Sequence, residues 1–131
     1  MKYLFILGRN PELSTAEIES FFEKEGINIK IISGIDNGLL IDSEKNIPKC
    51  IVDKLGGVVS IGEVLATGNI KEIFEELDNK TLYSGTNNKL NYVVFNFNGK
   101  DFEDIAFYLK NKFKEEKLKA TEKKITGFIK L

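Results

Sequence analysis

Eleven residues, Lys54-Leu55-Gly56-Gly57-Val58-Val59-Ser60-Ile61-Gly62-Glu63-Val64, constrain the fold of this chain more than any other stretch, because they compress a helix end, a glycine turn and a strand. Adjacent glycines after an apolar helical run can take the positive φ that ends a helix and reverses the chain. Val58, Val59, Ile61, Val64 and Leu65 then read as a buried strand. The order helix, turn, strand also argues against a phosphate cradle at the two glycines, which needs a strand feeding a helix N-terminus. A second junction lies near the start. Tyr3-Leu4-Phe5-Ile6-Leu7-Gly8 is an apolar strand, and Arg9-Asn10-Pro11-Glu12-Leu13 leads into a helix opened by Ser14, with Glu17 completing a capping box.

From residue 3 to 66 the pattern is strand, helix, strand, strand, helix, strand. The first helix is expected over about Thr15 to Glu25, with Ile18, Phe21 and Phe22 on one face and Gly26 as its stop. Asn28 to Ser33 and Leu39 to Ile41 form a hairpin about the Gly34–Gly38 turn, although Ile31 and Ile32 break the alternation. A short helix follows from about Ile47 to Leu55, with Pro48 in its first turn and Ile51, Val52 and Leu55 inward. This βαββαβ order is that of the ferredoxin-like α+β sandwich, an antiparallel sheet with two helices on one face.

The pattern restarts after Thr67-Gly68, giving expected domains at 1–67 and 68–131. Ile70 to Leu77 is helical, with Ile73, Phe74 and Leu77 as its apolar side. Leu90 to Phe97 is a strand, Asn98-Gly99 a turn, and Phe102, Ile105, Ala106, Leu109 and Phe113 mark one stripe of a helix that ends near Lys117. Lys119 to Ile125 and Phe128 to Leu131 read as two further short strands.

A length of 131 residues suits one ordinary domain or two very small ones, and 42% hydrophobic residues with ten Phe is enough apolar material to fold. No apolar run approaches the roughly 20 residues needed to span a bilayer. The N-terminus lacks the long apolar region of a signal peptide, so a cytoplasmic location is expected and no membrane partner. One cysteine and no histidine exclude an intramolecular disulfide, the usual zinc constellations and histidine acid/base chemistry. Cys50 reads as buried filler beside Ile51, with no base to activate it. Adjacent acids such as Glu75 and Glu76 do not share a helix face and read as solvated residues.

Charge is uneven. Residues 1–65 hold seven Lys/Arg against ten Asp/Glu, whereas residues 110–131 hold eight Lys against three Glu. Lys110, Lys112, Lys114, Lys117, Lys119, Lys123 and Lys124 could meet RNA phosphates in a salt-sensitive, sequence-blind manner. The plainer reading is a solubilising face, diluted by Glu115, Glu116 and Glu122 within a chain of pI about 5.6. Tyr92, Phe95 and Phe97 could stack bases, but one face of their strand must pack on the following helix. Arg9, the only arginine, could grip a phosphate or pair with Glu12.

Taken in order and separation, Tyr3-Leu4-Phe5-Ile6-Leu7-Gly8, Asn10-Pro11-Glu12-Leu13-Ser14, Ala16-Glu17-Ile18, and then Leu55-Gly56-Gly57 with Ile61-Gly62-Glu63-Val64 resemble the N-terminus of the THUMP-containing tRNA methyltransferases that modify guanosine 10. The resemblance implies an N-terminal ferredoxin-like domain, a THUMP-like domain that binds tRNA, and, in the family, a methyltransferase domain in cis that uses S-adenosylmethionine. The second half is similar more loosely, through Tyr92 to Phe97, Gly99 and the helix from Phe102 to Lys117. The chain ends without a glycine-rich loop for S-adenosylmethionine or an Asp/Asn-Pro-Pro-Tyr motif, so no catalytic residue and no cofactor carry over to it. Either a piece of a longer enzyme or a free-standing tRNA-binding accessory is expected, with the piece favoured. The alternative from another class is a protein-interaction or small-ligand regulatory module, because ferredoxin-like sandwiches host many functions.

Overall fold

Alternating apolar residues make Lys2–Leu7 a strand, β1, whose Tyr3, Phe5 and Leu7 point to one side and are buried. The computed structural model describes the backbone of residues 1–96 and 102–126, and the side chains of 1–94 and 102–123. The chain divides between Val64 and Leu65 into two units. It is a mixed α+β protein.

In the first unit β1 is followed by α1 (Pro11–Glu25), β2 (Ile29–Ile35), β3 (Gly38–Ser43), a 3-10 helix (Lys49–Lys54) and β4 (Val58–Glu63). The sheet order is β2-β3-β1-β4, and every neighbouring pair is antiparallel. It follows that β1 and β2 run parallel with β3 between them, and that β3 and β4 run parallel with β1 between them. Phe5, Leu7, Ile18, Phe22 and Ile41 form the centre of the core, joined by Leu39, Ile51 and Leu55. Phe5 and Phe22 meet edge-on at a ring-centroid distance of 6.1 Å, which locks α1 onto the sheet.

Helix α1 starts four residues earlier than the sequence suggests. Pro11 supplies a preset φ at the first helical position, and the Asn10 Oδ1 accepts the Leu13 N–H at 3.1 Å, so Asn10 and not Ser14 is the cap. Ser14 is buried instead, and Glu17 does not reach back to it. At the other end Gly26 takes φ 68° and Ile27 N–H donates to the Phe22 carbonyl, the left-handed stop expected of a glycine.

The broken alternation in β2 has a local cause. Ile31 pairs with Ile41 and Ser33 with Leu40, so Ile32 is the extra residue of a bulge, and it is exposed. The hairpin loop shrinks to Asp36, at φ 52°, and Asn37. Asn37 is buried, and it exchanges two bonds with the end of β1: the Leu7 N–H donates to its carbonyl at 2.7 Å, and its Nδ2 donates to the Leu7 carbonyl at 3.1 Å.

The expected second helix is a 3-10 helix, with Pro48 just before it in extended geometry. Ile51 and Leu55 point inward as expected, but the tighter winding turns Cys50 outward, and it is exposed rather than buried. Strand β4 lies at the sheet edge with one face covered, so only Val58 is buried; Val59 and Ile61 are half-buried and Leu65 is exposed.

In the second unit α2 (Ile70–Asp78), β5 (Lys89–Asn96), α3 (Phe102–Glu115) and β6 (Lys119–Thr126) follow one another, and β5 pairs with β6 in parallel. Asn69 caps α2 by accepting the Glu72 N–H at 2.9 Å. Parallel neighbours need a crossover, and α3 supplies it. Val94, Ala106 and Phe113 form its buried contacts, and Tyr92 packs on Phe113 at a centroid distance of 4.8 Å, so Tyr92 is a packing residue as expected. Phe97, the Asn98-Gly99 turn and the segment from Phe128 to Leu131 lie outside the described residues, as does the side chain of Phe95.

Candidate nucleic-acid interface

Helix α3 buries the stripe that includes Ala106 and Phe113 and leaves its lysines to the other positions, with one exception. Lys112 is only 8% exposed. Its Nζ donates to the Asp78 carbonyl at 3.3 Å, a cation set on the C-terminal end of α2, where the helix dipole favours positive charge. Spacing alone gives no hint of this, because it depends on where α2 lies.

Lys110, Lys114, Lys117, Lys119 and Lys123 are exposed, and the side chain of Lys124 is outside the described residues. Among the described residues none of those five amines has a carboxylate within salt-bridge distance. Lys110 and Lys114 stand one turn apart on α3 and, with Lys119 at the start of β6, line a cavity of about 420 Å³ shared with Tyr92, Leu118, Ala120 and Glu122. Three of the seven lysines picked out in sequence therefore converge on one concave site. Lys117 sits at the helix end with φ 59°, where Leu118 N–H donates to the Phe113 carbonyl.

Glu122 tempers that cavity. Its Oε1 is buried with no hydrogen-bond partner among the described residues. Burial, and then the charge and hydrogen bond of Glu122, push the Tyr92 phenol above its usual range. The cavity thus offers cations at its rim and a carboxylate at its wall. It can hold a phosphate chain passing over it better than a phosphate buried within it.

A cleft of about 380 Å³ runs between α2 and α3, lined by Ile70, Phe74, Phe107, Tyr108 and the acids Asp78, Asp104 and Glu115. Phe74 and Tyr108 stack at 4.1 Å, and the Tyr108 hydroxyl donates to the Asp78 carboxylate. Burial, and then that bond, push the Tyr108 phenol up to about 12. Phe107 is 69% exposed beside it.

In the first unit a cleft of about 770 Å³ lies over the two glycine junctions, lined by residues including Arg9, Leu13, Glu17, Gly56 and Gly57. Its carboxylate is already engaged: Glu17 accepts the Gly56 N–H at 3.2 Å and the Gly57 N–H at 2.9 Å. Among the described residues no group of three or more Cys, Asp or Glu is placed to hold a metal ion. No helix of the described residues is long and apolar enough to cross a membrane. No protein-family model matches the chain, and a search of the curated proteins finds no match to it.

Proposed function

We propose that this chain is the tRNA-binding part of an S-adenosylmethionine-dependent tRNA (guanine-N2) methyltransferase, holding the substrate for a catalytic domain supplied in cis. The observation that carries this reading is the set of five exposed lysines with no carboxylate partner among the described residues, three of them around one cavity. Lysines that serve only solubility have no reason to converge on one concave site. Support for a ferredoxin-like first unit comes from the interleaved strand order, in which each helical crossover joins parallel strands separated by an antiparallel one. The THUMP-like reading of the second unit draws on the strand, helix, strand order of β5, α3 and β6, together with the motif resemblance.

Binding of unmodified tRNA tests this directly. The chain should bind at low salt and lose affinity steeply as salt rises. Lys110→Glu with Lys114→Glu should weaken binding at least tenfold, and unchanged binding would remove the lysine interface from consideration. Calorimetry should detect no S-adenosylmethionine binding to this chain.

A second reading, a protein-interaction module, is favoured by one observation: Phe107 is exposed beside the α2–α3 cleft, and α2 buries none of its residues. Phe107→Ser would discriminate, since it should leave tRNA binding intact.

A further inference from the structure

Parallel pairing of β5 with β6 sets Lys89 opposite Lys119, Asn91 opposite Thr121 and Val93 opposite Lys123. Tyr92 packs on Phe113 and Val94 is buried, so Leu90, Tyr92 and Val94 face α3 and Lys89, Asn91 and Val93 form the outer face. In register with them, Lys119, Thr121 and Lys123 lie on the same outer side, and all six residues are exposed. Three of the six are cationic and none is acidic, because Glu122 lies on the helix side with Tyr92.

This arrangement works against the sheet. Like charges at opposed cross-strand positions are destabilising, and a sheet of two strands among the described residues has little stability to spare. Neither Lys89 nor Lys119 has a carboxylate within salt-bridge distance among the described residues. An anion lying across the strands would turn the repulsion into a binding contact. Lys119, the first residue of β6, also lines the helix-side cavity with Lys110 and Lys114.

We propose that the outer face of β5 and β6 binds the phosphodiester backbone of RNA, with Lys89 and Lys123 as phosphate contacts and Asn91 and Thr121 as neutral donors to phosphate or sugar oxygens. The proposal rests on the tRNA-binding reading and extends it from the helix to the sheet. Lys89, twenty-one residues before the first lysine of α3 in the candidate set, becomes part of the site through strand pairing alone. Such contacts orient the RNA without reading its sequence.

The test is binding of the full 131-residue chain to unmodified tRNA between about 50 and about 200 mM salt, with thermal melting of each variant. Lys89→Gln combined with Lys123→Gln should lower affinity roughly tenfold and flatten the log–log salt slope by about 1 to 2. The melting temperature should hold or rise, because the Lys89–Lys119 repulsion is relieved. Unchanged affinity and slope, with Lys110→Gln and Lys114→Gln still weakening binding, would overturn the sheet contact and leave the tRNA-binding reading standing. No tRNA binding by the unaltered chain would overturn both.

Discussion

Glu17 and Gly57 hold the first unit's helix and its edge strand together: the Gly57 N–H donates to Glu17 Oε1 at 2.9 Å, across forty residues of chain. The neighbouring turn of α1 presses on the same glycine. A Cβ at Gly57 would stand 3.0 Å from Ser14 Cβ and 3.2 Å from Ser14 Cα, and closer still to Ser14 Oγ. The Gly57 carbonyl in turn accepts the Gly8 N–H at 2.9 Å, so the two glycine junctions are bonded to each other.

Gly57→Ala should therefore destabilise the first unit by about 1–3 kcal/mol, the usual range for overpacking a well-packed site. Backbone strain is not the cause, since Gly57 does not have positive φ. Urea unfolding of Gly57→Ala, Ser14→Gly and the double variant would show it: the second substitution should recover part of the loss through positive coupling.

Lys117→Gly should stabilise the second unit by about 0.5–1 kcal/mol, because Lys117 occupies the left-handed position that ends α3 and pays a steric cost that glycine avoids. Gly26 shows the same device at the end of α1 with the favoured residue. A higher denaturation midpoint in the variant, together with a small loss of tRNA affinity, would separate the structural cost of Lys117 from the phosphate contact proposed for it.

Tyr108 makes stability fall at high pH. Its folded-state value of about 12 lies above that of an unfolded tyrosine near 10, so the folded chain holds a proton that the unfolded chain loses between them. The stabilisation is complete below about pH 10 and disappears as pH rises through about 12. Absorbance titration of tyrosinate should show a phenol that ionises near pH 12, and that step should vanish in Tyr108→Phe.

Lys112→Glu should lower the stability of the second unit, since it buries a carboxylate against the C-terminal carbonyls of α2. Any loss of tRNA binding in that variant should come with a lower melting temperature, whereas Lys114→Glu should change binding with the melting temperature held.

The order of the elements, and the helical type of α1 and α3, are legible because the apolar periods of Ile18 and Phe22, and of Phe102 to Phe113, are regular. Local competition hid the helix start: Ser14 with Glu17 fits a capping box, but Asn10-Pro11 is an equally good opening signal upstream, and Glu17 is drawn off by the Gly56 and Gly57 amides. Six residues between Pro48 and Leu55 are too few for spacing to separate a 3-10 turn from an α-helix, and α-helical spacing turns Cys50 to the wrong side. The candidate lysines could be found by composition, but Lys112 and Lys89 could not be sorted, because burial under α2 and pairing across β5 and β6 are tertiary facts.

The buried Asn37 has a consequence for chemical ageing. Asn-Gly is the dipeptide most prone to deamidation through a cyclic imide, since glycine leaves its own amide nitrogen free to attack the side chain. Here the Asn37 amide is tied to the Leu7 carbonyl, and Gly38 is held in the ladder opposite Ile6, so neither group can swing into the ring-closing geometry. The folded first unit should protect a site that the open chain would lose quickly. A one-dalton mass gain at Asn37 on storage would then act as a clock, counting how often the β2–β3 hairpin comes away from β1.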